Sequence, residues 1–434
     1  MSMGGGARVI LVIVGLSLAG GRLRPVTAQG LGSEFQVNGY STNGQYQPAI
    51  AADAAGRFVV AWQSYGQDGA FASIVARRFG PDGAPVGGEF VVSSSTSEAR
   101  YTPVVAAGAD GGFVVVWVDG SDDGTYTDVR ARRFTADGNP AGAEFEVNST
   151  TAGYQSTPSI AAAAAGGFVV AWRSLDQDGS GYGVFARSFD ANGAPAGGEL
   201  PVNTTWTGSQ NLPALAAGAT GQFLVVWQSD DGDGTGIVGR RLDAAGVPIA
   251  GEFPINEFTT GDQFEPAVAP GSAGSWLVVW SSDGQDGSGT GVFARRFDAS
   301  GSAIGGEFAI NATTAENQDE PVVASSASGR FVMVWESYGH RESTYDVVGR
   351  FFDAEGAPAG DEFVVNVRNV GGQYQPAVAA RPTGDFLVAW ESYGQDGSYG
   401  GIFARRGASR LFADGFESGD LSAWSASPAD AGRR

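Results

Sequence analysis

Seven stretches of one design run through this chain: FVVAWQSYGQDG (58–69), FVVVWVDGSDDG, FVVAWRSLDQDG, FLVVWQSDDGDG, WLVVWSSDGQDG, FVMVWESYGHRE and FLVAWESYGQDG. Their tryptophans, Trp62, Trp117, Trp172, Trp227, Trp280, Trp335 and Trp390, recur at intervals of 55, 55, 55, 53, 55 and 55 residues, the short interval falling in the loop after Trp227. A regular repeat overrides any domain count taken from chain length. Each unit carries four apolar segments, seen in the third as STPSIAAAAA, GFVVAW, GVFARSF and GGELPVN, bounded by Gly, Asn, Asp or Pro. That punctuation marks short strands joined by tight connections. No amphipathic helical pattern interrupts it.

FVVAW is apolar on both faces, with Phe58, Val60 and Trp62 on one and Val59 and Ala61 on the other. A sheet with one face in water would alternate, so this strand belongs to a sheet covered on both sides. PAIAADA and its counterparts are made of small residues, which suits a strand where sheets crowd together. A β-propeller meets both demands, because each four-stranded blade is stacked between two others around an axis. The period is too long for one β-helix coil and too short for an immunoglobulin-type sandwich of about 100 residues. The expected fold is therefore all-β, a seven-bladed β-propeller. EFQVN (Glu34–Asn38) precedes the first full unit, and the last unit stops after GIFARR without a copy of its own. Strand 34–38 is expected to complete the seventh blade and close the ring, leaving no open seam. From axis to rim that blade would read QPAVAA, FLVAW, GIFARR, EFQVN.

The apolar share of 42% is too high for a disordered chain, and 68 glycines in 434 residues point to many turns. The formal charge is −21 and every basic residue is arginine, which argues against nucleic acid as a partner, since phosphate contacts need a basic patch. With no cysteine and one histidine, His340, disulfide frames, thiolate metal sites and multi-histidine centres are excluded. Residues 1–28 read as a secretory signal peptide: Arg8, the short apolar run VILVIVGLSLAG, then VTA before Gln29. No later segment is apolar over enough residues to span a bilayer. The expected organisation is a signal peptide (1–28), a propeller (29–406) and a polar tail (407–434) of a secreted, monomeric protein.

Several positions recur in every unit. The tryptophans read as core aromatics between blades. Pro48, Pro103, Pro158, Pro213, Pro266, Pro321 and Pro376 are expected to open the inner strands, where a missing N–H is tolerated. Arg77, Arg132, Arg187, Arg240, Arg295, Arg350 and Arg405 recur with Glu34, Glu89, Glu144, Glu199, Glu252, Glu307 and Glu362. These lie on adjacent third and fourth strands and are expected to pair within each blade.

Six residues past each tryptophan come Asp68, Asp123, Asp178, Asp233, Asp286, Arg341 and Asp396. Asp-Gly favours a hairpin bend. Clustered aspartates also suit calcium, a hard cation that takes oxygen ligands, and the richest candidates are Asp119, Asp122 and Asp123 in unit two and Asp230, Asp231 and Asp233 in unit four. No EF-hand loop is present. In an antiparallel blade the second-to-third loop and the loop entering the next blade leave from one end. The acidic loops therefore share a face with Tyr46, Tyr154, Trp206, Phe264 and Tyr374, the candidate ligand-binding aromatics, which can stack on sugars or grip a protein. Unit six departs from the pattern with Glu336, His340, Arg341 and Glu342. No nucleophile elbow, phosphate loop or zinc motif occurs, and no catalytic residue is assigned.

The repeat, as in DQDGSGYGVFARSFDANGAPAGGELPVN (176–203), resembles one found in exported bacterial repeat proteins, often beside hemolysin-type calcium-binding or adhesin modules. That resemblance covers residues 33–406 and implies an extracellular or surface setting and calcium. DGFESGDLSAWS (414–425) resembles a segment at the C-termini of exported bacterial proteins, which implies a sorting signal or the remnant of another domain, the alternative being a disordered end. Together these features predict a non-catalytic binding or adhesion module whose acidic face holds a glycan or a cell-surface protein. A polysaccharide hydrolase or lyase on the same scaffold, and a purely structural envelope protein, are the alternatives.

Overall fold

The computed structural model describes residues 30–408 except 70, 95–98, 121–125, 165 and 342–343. The proposed signal peptide and all but the first two residues of the tail lie outside them. Seven separate four-stranded antiparallel sheets form, one per repeat. Blade 1 comprises Gln45–Ala52, Phe58–Tyr65, Ala72–Phe79 and Pro85–Val91, paired in that order. The other blades repeat it. The seventh is completed by Leu31–Gln36, which pairs antiparallel with Gly400–Gly407, Glu34 opposite Arg405. Beyond that strand Val37 still donates to the Ile402 carbonyl at 2.8 Å. The ring is closed by its N-terminal strand, as the orphan EFQVN predicts.

The core lies between blades. Trp62 of blade 1 is fully buried with Leu387, Ala389 and Ile402 of blade 7, and Trp117 of blade 2 with Ala61 and Ile74 of blade 1. All seven repeat tryptophans are at most 1% exposed. The small residues of the inner strands allow seven of them to converge on one axis.

Three details differ from expectation. The prolines do not open the inner strands. Each is the fourth residue, at a register shift such as that between Tyr46 and Ala49, where a bulge tolerates a missing donor. The residue before each proline takes a positive φ: 54° at Gln47, 46° at Thr102, 48° at Thr157 and Leu212, 53° at Glu265 and 49° at Glu320 and Gln375. Non-glycine residues adopt this conformation at a cost and only where their surroundings enforce it.

The arginine and glutamate rows, moreover, do not pair within blades. Each arginine reaches back to a carbonyl of the preceding blade's outer edge, as Arg77 to Val37 at 2.8 Å and Arg405 to Val365 at 2.8 Å. Each glutamate accepts backbone N–H groups from the loop leaving the preceding blade, as Glu89 does from Gly39 and Tyr40 at 2.7 and 3.0 Å. Among the described residues only Arg132 and Glu144 come within ion-pair distance, at 3.9 Å. Both rows tie blade to blade, because the outer-strand turn leaves donors and carbonyls that a neighbouring side chain must satisfy.

Candidate functional site

The acidic loop motif builds the loop face. Asp178 caps its own turn through the N–H of Ser180 at 3.2 Å and accepts from the buried Asn203 at 3.1 Å. Asp286 and Asp396 do the same with Asn311 and Asn38. A Cβ on Gly183, Gly291 or Gly401 would collide with these carboxylates, which is why the third strand carries glycine there. Where the loop carries no such aspartate, the strand supplies one. In blade 6 Asp346 accepts from Asn366 at 2.9 Å and is ion-paired with Arg341. The loop around His340 is thereby held by Arg341, which also donates to the carbonyls of Val367 and Arg368.

Of the calcium candidates, Asp119 is buried between Arg100 and Arg130, 3.0 Å from each. Asp230 and Asp231 cap N–H groups of their own turn at Gly232 and Asp233, and Asp122 and Asp123 lie outside the described residues. No group of three or more histidines, cysteines, aspartates or glutamates among the described residues is arranged to hold a metal ion. If the described aspartates act only as turn caps and arginine partners, millimolar calcium should leave the melting temperature within about 1 °C of its value in chelator, since a ligand stabilises only in proportion to its occupancy of the native state. A rise of several degrees, absent with magnesium, would make these loops calcium sites.

The two loop sets share one face, as expected: Tyr65 N–H donates to Gly44 at 3.1 Å and Asn43 Nδ2 to the Tyr65 carbonyl at 3.4 Å. At the centre of the disc is a channel of about 400 Å³ lined by the seven prolines with Gln47, Thr102, Thr157, Leu212, Glu265, Glu320 and Gln375. That lining is not seven-fold, with Glu265 and Glu320 in blades 5 and 6 only, and neither is the largely buried column behind it. At the position after the tryptophan stand Gln63, Val118, Arg173, Gln228, Ser281, Glu336 and Glu391. Blades 5–7 thus bring together Glu265, Asp319, Glu320, Glu336 and Glu391.

Three of these carboxyls clamp the strained bulges. The N–H of Gln47 donates to Glu391 at 2.6 Å, that of Glu320 to Glu265 at 2.9 Å, and that of Gln375 to Glu336. Asp319 keeps a buried Oδ1 without a hydrogen-bond partner. Burial pushes all five upward, most of them helped by their acidic neighbours: Asp319 and Glu391 to about 7, with Glu265, Glu320 and Glu336 also raised. A protonated carboxyl still accepts an N–H through its carbonyl oxygen, and its O–H is free to donate. The arrangement holds carboxylic acids at neutral pH, the property a general acid needs.

Beside the acids runs a chain of touching rings: Tyr338, Tyr345, Tyr374, Tyr393, Tyr46, Tyr65 and Phe71, with successive centroids 5.2–6.4 Å apart. Tyr46 and Tyr374 fold back over Gly44 and Gly372, where any Cβ would overlap the ring. Burial, then nearby Tyr393 and Glu391, raises the Tyr46 phenol, and burial, then Glu336, raises that of Tyr374, so both stay protonated. Of the five aromatics singled out from sequence, the structure brings Tyr46 and Tyr374 into this arc. Tyr154 packs on Tyr126 in the blade 2–3 sector, Trp206 stands 52% exposed between blades 3 and 4, and Phe264 is half-buried in blade 5. Sequence reasoning missed Glu265, Asp319, Glu320 and Glu391 altogether. Their signal was the variable columns of an otherwise uniform repeat, before the proline and after the tryptophan.

No family model and no curated protein matches the chain. Solved structures do. A Dyadobacter fermentans protein of unknown function aligns with a TM-score of 0.51 at 13% identity, covering 88% of this chain and 98% of its own. A PL25 polysaccharide lyase, an ulvan lyase bound to -[GlcA(1-4)Rha3S]-, gives 0.53 at 11% identity over 85% and 95%. The polysaccharide lyase Uly1 gives 0.52 at 11% over 87% and 99%. At such identities the likeness is one of fold. No helix among the described residues is long and apolar enough to cross a membrane, which leaves β-barrels unaddressed.

Proposed function

We propose that this protein is an exported glycan-active enzyme that cleaves polysaccharide by carboxylic acid–base chemistry at the mouth of its axial channel. The observation that carries this reading is the pairing of Asp319 with Glu336 across adjacent strands, with Glu391 in the next blade, all raised toward or above neutral pKa beside an open aromatic arc. Glycoside hydrolysis needs one carboxylic acid to protonate the leaving oxygen and a second carboxyl to act on the opposite side. Repeat asymmetry favours catalysis over the non-catalytic adhesion module expected from the repeats alone, because an enzyme needs a few unlike residues in one place. The signal-peptide reading of residues 1–28 supports export.

Hydrolysis fits better than elimination. A lyase acting on a uronate must offset the sugar's carboxylate and supply a base, whereas the charges that perturb Asp319, Glu320 and Glu336 are those of other carboxyls, with no arginine among them. Phenols raised above their ordinary value are poor bases at neutral pH. Glu391→Gln and Glu336→Gln are each expected to cut the release of reducing ends from polysaccharide by about 10²–10⁴-fold, the range for losing an acid or base, while circular dichroism stays native. Reducing ends released equally by wild type and both variants, or by none on any polysaccharide, would leave a binding module instead.

A further inference from the structure

The longest continuous run of contacting rings on the loop face lies in blades 6, 7 and 1, whereas the aromatics elsewhere stand singly or as the Tyr126–Tyr154 pair. At the second position of the inner strands stand Tyr374, Tyr46 and Tyr101 in blades 7, 1 and 2, against Ser156 and Asn211 in blades 3 and 4, Phe264 in blade 5 and Asp319 in blade 6. At the end of the second strands stand Tyr338, Tyr393 and Tyr65, against Leu175, Asp230 and Asp283. Packing alone does not require this, since blades 3–5 close equally well without it. The sector also crosses the seam between blades 7 and 1, where Tyr393 and Tyr46 meet at 6.4 Å. Two of its members are well exposed, Tyr393 at 42% and Phe71 at 70%.

We infer that the arc from Tyr338 through Tyr374, Tyr393 and Tyr46 to Phe71 is an extended subsite for several consecutive units of an uncharged polysaccharide, which it leads to the carboxyl cluster. The inference rests on the glycan reading above and adds its substrate class. Ring faces match the C–H faces of sugars, and phenol and carboxyl groups both donate and accept hydrogen bonds, as sugar hydroxyls do. The chain carries a formal charge of −21, which disfavours a polyanionic ligand. Burial raises the acids nearest the arc well above the ordinary carboxylate range, so they carry less negative charge near neutral pH than surface carboxylates do. An uncharged chain is the ligand that meets neither penalty. Six ring-to-ring steps give room for a run of sugars rather than one, which suits attack within a chain.

Affinity electrophoresis of the Glu391→Gln protein through gels containing arabinoxylan, galactomannan or mixed-linkage β-glucan tests this against polygalacturonate and alginate. At least one neutral polysaccharide should retard the protein and neither anionic one should. Tyr393→Ala and Phe71→Ala, exposed enough to spare the fold, should each weaken retardation about 3–10-fold, the value of one ring contact. Trp206→Ala and Tyr154→Ala, outside the arc, should not. Preference for the anionic polymers, no retardation by any, or indifference to Tyr393→Ala and Phe71→Ala would overturn the inference. Retardation without cleavage by the wild type would remove the hydrolase reading and leave the subsite standing. Cleavage of a neutral polysaccharide unchanged by the arc variants would do the reverse.

Discussion

A chain begun at Gly39 rather than Gly30 should fail to give a cooperative thermal transition. Residues 30–38 pair with the third strand of blade 7, and Val37 is fully buried among Trp62, Leu387 and Ile402. Asn38 accepts from the Ile402 N–H at 2.8 Å and donates to Gln45 and Asp396. Glu34 satisfies the Val367 N–H, and Arg405 donates to Gly32 at 2.7 Å. Losing the strand exposes a buried apolar seam, orphans several polar groups and opens an edge. Together these cost several kcal/mol, a large share of the roughly 5–15 kcal/mol that holds a domain folded. Val37→Asp should act in the same direction with less severity, by burying an unpaired charge. A synthetic 30–38 peptide added in trans should restore part of the transition. A melting temperature within a few degrees of the intact chain would show that the ring does not depend on this strand.

The second large effect is on pH. Asp319 and Glu391 titrate near 7 in the folded protein, and Glu265, Glu320 and Glu336 are also raised. In the unfolded chain they would titrate near 4. Between these limits the folded state binds more protons, so stability falls as pH rises. The contribution is fully present below about pH 4 and is lost as pH climbs through 7 and beyond. Each proton held only in the folded state adds a slope of about 1.4 kcal/mol per pH unit. The melting temperature should therefore drop steadily from pH 5 to pH 8.5, and Glu336→Gln with Glu391→Gln should flatten the drop. A flat or rising profile over that window would mean that these acids ionise as ordinary surface carboxylates.

Both effects originate in features of unequal legibility. The closing strand was readable because a copy missing from the end of a repeat stood at its beginning. The interblade tryptophans were readable because a strand apolar on both faces needs sheets on both sides. The arginine and glutamate rows looked like partners because they lie on neighbouring strands, Glu34 opposite Arg405. Their side chains instead reach the preceding blade, and a pattern within one repeat carries no information about contacts to the next. The loop aspartates illustrate a milder form of this. Asp178 and Gly183 depend on each other, and Asp346 takes over the aspartate's role in blade 6, but the exchange is visible only when Asn203 and Asn366 are seen to need the same acceptor.

The repeat by itself determined the blade number, the strand order and the closure of the ring, because these follow from period, patterning and count. It also placed Tyr46 and Tyr374 on the loop face. Only the tertiary structure gathered Glu265, Asp319, Glu320, Glu336 and Glu391, which are up to 126 residues apart (265 to 391), around one axis. It alone gave them raised pKa values, since burial and like-charge proximity are properties of the assembled ring rather than of any one unit. A propeller repeats its scaffold seven times and carries its chemistry in the few columns where the copies disagree.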